Sequence, residues 1–277
     1  MFSLDGYTAV TANGGVVRRV DRGVLAVTGA DRAAWLQGLL TNDVESLKDG
    51  DSHYSAYLTP QGRMISDMHV FARGDRLLLD VPLSLAATLR DKLDGLIFSE
   101  DAAVTDESAK LFVWTAITRD DFVEVVGESI PDQFASLTEI TMDTFEVIRI
   151  ERGVPRFLAD MTEDTIPLEA GIEDRAISFS KGCYVGQEVI VRVTHRGGGR
   201  VAKKLVRWIG DDSADIVPLP ESRIISFDRD IGRVTSAAFS PNLNRVVGLG
   251  YVHRDFTASG TDVTVMWNDS RIKAVVQ

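Results

Sequence analysis

Beyond about residue 200 the chain carries no helical pattern, and no other feature constrains the fold as much. Segments 203–209, 221–227, 231–239, 245–253 and 262–275 are short alternating runs separated by turns. The stretch VTVMWNDSRIKAVV sets a polar three-residue turn between two such runs, which is a hairpin pattern. Several short strands without helices bury their apolar face by closing into a small barrel or sandwich. A domain boundary is therefore expected near residue 200. There RGGGR (196–200) interrupts any regular element and is expected to serve as a hinge.

Upstream the texture is mixed. Residues 16–28 read as two strands around a turn at Asp21–Gly23, and 30–40 as a helix with Ala33, Leu36, Leu39 and Leu40 on one face. Residues 52–58 and 63–71 are strands split by Pro60-Gln61-Gly62, and 76–81 is a third. Residues 83–97 are apolar at helical spacing, and strands return over 100–126. The connections are too short for parallel crossovers, so the expected class is α+β with antiparallel sheet. FEVIRIER (145–152) alternates and is expected to be a strand, with Glu151 near its end. Residues 153–180 are irregular, and 188–194 fit either a strand or a helix opening at Gly186-Gln187-Glu188.

At 277 residues, one core is near its useful limit and two or three domains are expected. Thirty Lys+Arg against 41 Asp+Glu leave a formal charge of −11, which opposes broad binding to nucleic acid or anionic membrane but permits a local basic patch. Cys183 is the lone cysteine, so no intrachain disulfide forms. With His53, His69, His195 and His253 scattered, no resident metal site is expected. MFSLDGYTAV lacks the pattern of a signal peptide, and no run approaches the ~18 apolar residues of a membrane span. The expectation is a cytoplasmic protein with no membrane partner, and a monomer.

Three places carry chemistry. In KGCYVGQE (181–188) two glycines flank Cys183 and Lys181 stands two residues before it. Small residues let the backbone approach a ligand, and a neighbouring cation favours the thiolate. Glu151 in RIERG can accept two parallel hydrogen bonds from an amidine-like N–H pair, or simply pair with Arg149 or Arg152. Asp67 in MISDMHVF points either to solvent or into a cavity, where it needs a partner. RGGGR has neither GxGxxG order nor a P-loop lysine, and there is no GxSxG elbow.

WLQGLLTNDV (35–44), PQGRMISDMHVF (60–71), RIERGVPRF (149–157), IPLEAGIEDRAISFSKGCYVGQEV (166–189) and IGRVTSAAFSPNLNRVVGLGYV (231–252) resemble, in order, the YgfZ/GcvT superfamily. GcvT is the aminomethyltransferase (T-protein) of glycine cleavage; YgfZ is a folate-binding relative linked to iron–sulfur enzymes. KGCYVGQE is similar to the YgfZ pattern K-G-C-[FY]-x-G-Q-E. The resemblance implies three domains around a central folate channel. These are a discontinuous folate-binding domain (1–48 and 140–200), a ferredoxin-like domain (49–139) and a C-terminal β-barrel (201–277).

It also implies that Glu151 holds the pterin edge of tetrahydrofolate or a one-carbon-substituted folate. Asp67 would lie near the folate N5 and N10, although Ser66 replaces the first member of the T-protein Asp-Asp pair. Which of the two points inward depends on strand parity. Asn42, Arg175, Lys181, Tyr184 and Gln187 are the further cofactor-binding candidates. Arg175, Lys181 or Arg192 would meet the anionic tail. The function implied is support of iron–sulfur cluster assembly or repair in client proteins, including tRNA-modifying enzymes, with Cys183 and Asp67 as the chemical residues. The alternative is a folate-dependent aminomethyltransferase. Direct nucleic-acid binding is not expected.

Overall fold

Ser3 opens a helix that the sequence reading did not anticipate. Its Oγ accepts from the Gly6 N–H, and α1 (Leu4–Asn13) runs until Gly14, where φ is +83. The computed structural model describes residues 1–119, 121–196, 198–211, 216–268 and 270–277, without the Arg196 side chain. Gly197 of the expected hinge and Asp269 of the expected three-residue turn lie outside the described residues. The chain divides into two units, each made of two segments: Met1–Met142 with Ile172–Val189, and Asp143–Gly171 with Ile190–Gln277.

The first unit holds two sheets. Its strands are β1 (Gly15–Arg18), β2 (Arg22–Thr28), β3 (Ser52–Leu58), β4 (Met64–Arg73), β5 (Arg76–Pro82), β6 (Ala103–Asp106), β7 (Phe112–Ile117), β8 (Phe122–Gly127) and β9 (Thr138–Glu139). The five-stranded sheet runs β3-β4-β5-β2-β6 and the four-stranded one β8-β7-β1-β9. All pairings are antiparallel except β1 with β9. β1 and β2 do not pair with each other. The turn closed by the Arg22 N–H on Arg19 O passes the chain from one sheet to the other.

Alternation sorts the faces of the larger sheet. Leu25, Val27, Met68, Val70, Leu77 and Leu79 pack with Leu36 of α2 (Arg32–Gln37) and with Leu89 and Leu93 of α3 (Ala86–Asp94). Each such leucine contributes about 1.5–3 kcal/mol. Val24, Ala26, Phe71 and Leu78 face the other way, against Leu111 and Val113.

In the second unit, residues expected as the strand FEVIRIER form helix α4 (Met142–Glu151). The reason is Arg149. It is 1% exposed, so the buried positions are Thr144, Phe145, Ile148, Arg149 and Ile150, and the first four share a helical face hidden by one charged residue. The ambiguous 188–194 stretch begins as α5 (Gln187–Val191). Six strands follow: β10 (Lys203–Gly210), β11 (Arg223–Ser226), β12 (Arg229–Ser240), β13 (Arg245–His253), β14 (Asp262–Trp267) and β15 (Ser270–Val276). They close a barrel in the order β10-β13-β12-β11-β14-β15. Trp208, Val234, Val252, Val265 and Ile272 fill it. Gly248 makes room for Trp208, because a Cβ there would lie 2.2 Å from the indole. Outside, Ile150 and Val147 cover Val247 and Leu249. The chain is thus α+β with a C-terminal barrel, as expected.

Candidate functional site

The loop that carries KGCYVGQE is pinned at four points. Lys181 Nζ donates to three main-chain carbonyls, Gln37 O at 2.7 Å, Leu40 O at 2.7 Å and Asn42 O at 2.9 Å. All three ammonium protons are therefore committed. Burial, opposed by Asp43 and Glu45, brings its pKa down to about 8. The Tyr184 ring is buried with Lys181 Nζ 5.4 Å from its centroid, and burial pushes its phenol up to about 12. The Val185 N–H bonds Gly38 O at 3.2 Å. At Gly186 φ is +85, and a Cβ would stand 2.6 Å from Thr59 O. Between these anchors Cys183 is exposed and free. Gln187 is half-buried and opens α5.

Asn42 ties the same region together. Its Nδ2 donates to Tyr54 O at 2.8 Å and Arg175 O at 3.1 Å. The Arg175 guanidinium lies 4.5 Å over the Tyr54 ring. The Tyr54 hydroxyl in turn donates to Asp67 Oδ2 at 2.9 Å. Five expected site residues (Asn42, Arg175, Lys181, Tyr184 and Asp67) are thus linked by contacts within the first unit, on the loop or through Tyr54.

Strand parity turns Asp67, 5% exposed, to the side of Phe71 and Asp80. Its Oδ1 accepts from Arg22 Nη1 at 2.7 Å. Arg22 also donates through Nε to Asp80 Oδ1 and through Nη2 to Asp80 O at 2.9 Å. Beyond Asp80, His69 has Nδ1 3.7 Å from Asp80 Oδ2 and Nε2 3.4 Å from Glu124 Oε2. Ser66 is fully buried and donates to Asp67 O. Burial opposes the charges of Arg22 and Asp80, but the pairing outweighs it. The guanidinium pKa is raised, and the Asp80 carboxyl is held below its usual range by Arg22 and His69. The Tyr54 phenol goes well above its ordinary value through burial and the Asp67 charge.

Glu151 belongs to the second unit, at the C-terminus of α4 rather than at a strand end. Its carbonyl accepts from Arg207 Nη1 at 2.5 Å, while Arg207 Nε is buried without an acceptor. Two residues earlier, Arg149 donates twice to Glu146 Oε2 (2.9 and 2.6 Å) and once each to Val154 O (3.1 Å), Asp160 Oδ2 (2.7 Å) and Ser236 Oγ (3.0 Å).

Residues 203–277 match the glycine cleavage T-protein C-terminal barrel domain family. An aminomethyltransferase of Bacillus cytotoxicus is 24% identical over 324 aligned positions, spanning 98% of this chain and 87% of that one. A mitochondrial iron–sulfur cluster assembly factor IBA57 homologue of Coccidioides immitis is 26% identical over 75% of this chain and 60% of its own. The crystal structure of the glycine cleavage system aminomethyltransferase T from Bartonella henselae matches with a TM-score of 0.83 at 17% identity, covering 99% of this chain and 88% of that one. The chain is a relative in the YgfZ/GcvT superfamily.

Against that superfamily frame, sequence reasoning missed Arg22, Tyr54 and His53. Arg22 was hidden in a turn, although Asp80 in the apolar run LLLDVP signals a buried carboxylate that needs a cation. His53 has both ring nitrogens buried without a partner, and burial with the nearby Lys181 charge lowers its pKa. Among the described residues no group of three or more His, Cys, Asp or Glu could hold a metal ion, and no helix is long and apolar enough to cross a membrane.

Proposed function

We propose that this chain binds tetrahydrofolate, or a one-carbon form of it, and supports iron–sulfur cluster assembly or repair in client enzymes, including enzymes that modify tRNA. One observation carries the reading: the exposed Cys183 stands on a loop fixed by the three carbonyl bonds of Lys181 and the close backbone approach at Gly186. A single thiol supplies one ligand or one nucleophile, so a cluster as cargo is shared with the client. The likeness to an iron–sulfur assembly factor supports this role. The reading places the protein in the reducing cytoplasm, acting as a monomer.

The donor set suits a reduced folate. Glu151 is a carboxylate for a pterin N–H pair, and Arg207 Nε is a buried donor beside it still lacking an acceptor. Within the first unit Arg175, stacked on Tyr54, is a cation suited to an anionic group, whereas Lys181 holds the loop. Bound folate would supply one-carbon carriage. Asp67, fixed by Arg22 and Tyr54, is oriented to accept a proton or hydrogen bond.

The test is rescue of iron–sulfur enzyme activity in a bacterial strain lacking its own YgfZ, comparing wild type with Cys183→Ala. Rescue by wild type alone is expected. A second reading, aminomethyl transfer, draws on the Bacillus cytotoxicus likeness. Folate-dependent transfer from an aminomethyl-lipoyl carrier, unchanged in Cys183→Ala, would favour it. Absence of reduced-folate binding by calorimetry would overturn both.

A further inference from the structure

Residues 190–210 hold six Lys/Arg and no Asp/Glu, in a chain whose net charge is −11. The run continues along one extended strand, with Lys203, Lys204 and Arg207 on β10 directly after Arg200. Elsewhere Arg22, Arg149, Arg223 and Arg233 are paired with carboxylates, the first two deeply buried. Among the described residues, Arg200, Lys203 and Lys204 make no ion pair with the protein; Lys203 Nζ only overlies the Tyr251 ring at 4.8 Å. Four acids share a cavity of about 590 Å³ with Lys203: Asp160 is taken up by Arg149 and its neighbours, and Asp164, Glu169 and Glu221 do not close on the lysine. Arg207 spends its guanidinium on the carbonyl of Glu151. Cations clustered along one segment without a direct carboxylate partner repel one another.

We propose that this stretch is a docking surface for a compact acidic face of a protein partner, which the reading above makes the client and on which the inference rests. Two observations select a protein over a nucleic acid. The lone Phe, Tyr or Trp of the stretch, Trp208, is fully buried, so no such ring is offered there for stacking bases. The remainder of the chain has a larger negative charge than the whole, because this stretch is all positive. It repels a long polyanion while tolerating a partner whose charge is confined to one patch.

Fluorescence anisotropy on the full chain tests this, with a labelled twelve-residue Asp/Glu peptide and a labelled 20-nucleotide single-stranded RNA as probes. Wild type is expected to bind the peptide more tightly than the RNA, weakening at least fivefold between 50 and 200 mM salt. Arg200→Glu/Lys203→Glu/Lys204→Glu is expected to lose at least tenfold. A matched reversal of exposed lysines in the first unit, Lys48→Glu/Lys92→Glu/Lys110→Glu, is expected to lose less than twofold. Equal losses in both triples, tighter RNA than peptide binding, or no peptide binding would each overturn the proposal. Calorimetry of tetrahydrofolate runs beside it: the strip variant should keep folate binding while losing rescue. A wild type that binds peptide but no folate would sink the functional reading and leave the surface standing.

Discussion

Each unit buries one guanidinium between carboxylates, and the two are finished differently. In the second unit Arg149 has an acceptor for each of its five N–H groups, and Asp160 accepts four bonds, from Arg149 and the Arg156 N–H on Oδ2 and from Thr235 and Ser236 on Oδ1. Nothing is left over. It staples α4, the 154–160 segment and β12 into one piece. In the first unit Arg22 makes three bonds, and its two carboxylates lead on to further polar side chains, Tyr54 from Asp67 and His69 from Asp80. A closed pair is a structural rivet. An open one runs on into a phenol and an imidazole instead of closing on itself.

That contrast can be broken by experiment. The largest effect is expected from Arg149→Met, which strands Asp160 and should cost roughly 3–5 kcal/mol in urea unfolding; adding Asp160→Leu should recover much of it. Arg22→Met should cost about 2–4 kcal/mol at pH 7 and less at pH 5, because the buried Asp80 carboxylate, left without its guanidinium, can take up a proton. An equal penalty at both pH values would erase the distinction between open and closed pairs.

Gly186→Ala should cost about 1–3 kcal/mol through its positive φ and the contact with Thr59 O, and should change the rate at which Cys183 reacts with a maleimide. A smaller effect is expected in acid. The native Asp80 carboxyl lies below its ordinary 3.8, so as pH falls the unfolded chain binds the proton first. Stability present above that value is then lost as pH drops through the native one, and Asp80→Asn should flatten this limb in pH-dependent melts. The smallest effect is expected from Cys183→Ala, which should move the melting temperature by about 2 °C or less, since the thiol is exposed and packs nothing.

The barrel was legible because its strands alternate cleanly and its turns are polar. The antiparallel β3–β4–β5 run was legible for the same reason. Helix α4 was not: Arg149 scores as a surface residue in any apolar pattern, and only its five bonds to four acceptors, scattered from Glu146 to Ser236, let it be buried. The partition of β1 and β2 between two sheets was also hidden, since a tight turn between strands predicts a hairpin unless other strands compete for the edges. At the candidate site, residue types and loop identity were readable at Cys183, Lys181 and Asp67. Their partners were not, because carbonyl acceptors such as Leu40 O leave no trace in side-chain chemistry. The parity of Ser66 and Asp67 needed the register with Ala56 and Tyr57 to resolve it.

The two units interleave along the chain, and this orders their biosynthesis. Residues 143–171 leave the ribosome before 172–189, yet the later segment belongs with the earlier unit. The first unit therefore cannot be completed until residue 189 has emerged, and its last insertion is the Cys183 loop, seated by Lys181 against carbonyls made about 140 positions earlier. Such long-range closure slows folding. It also means that a nascent chain does not present its thiol on a fixed loop until the rest of that unit is in place, so a truncated or stalled product would carry the cysteine without the setting that gives it a purpose.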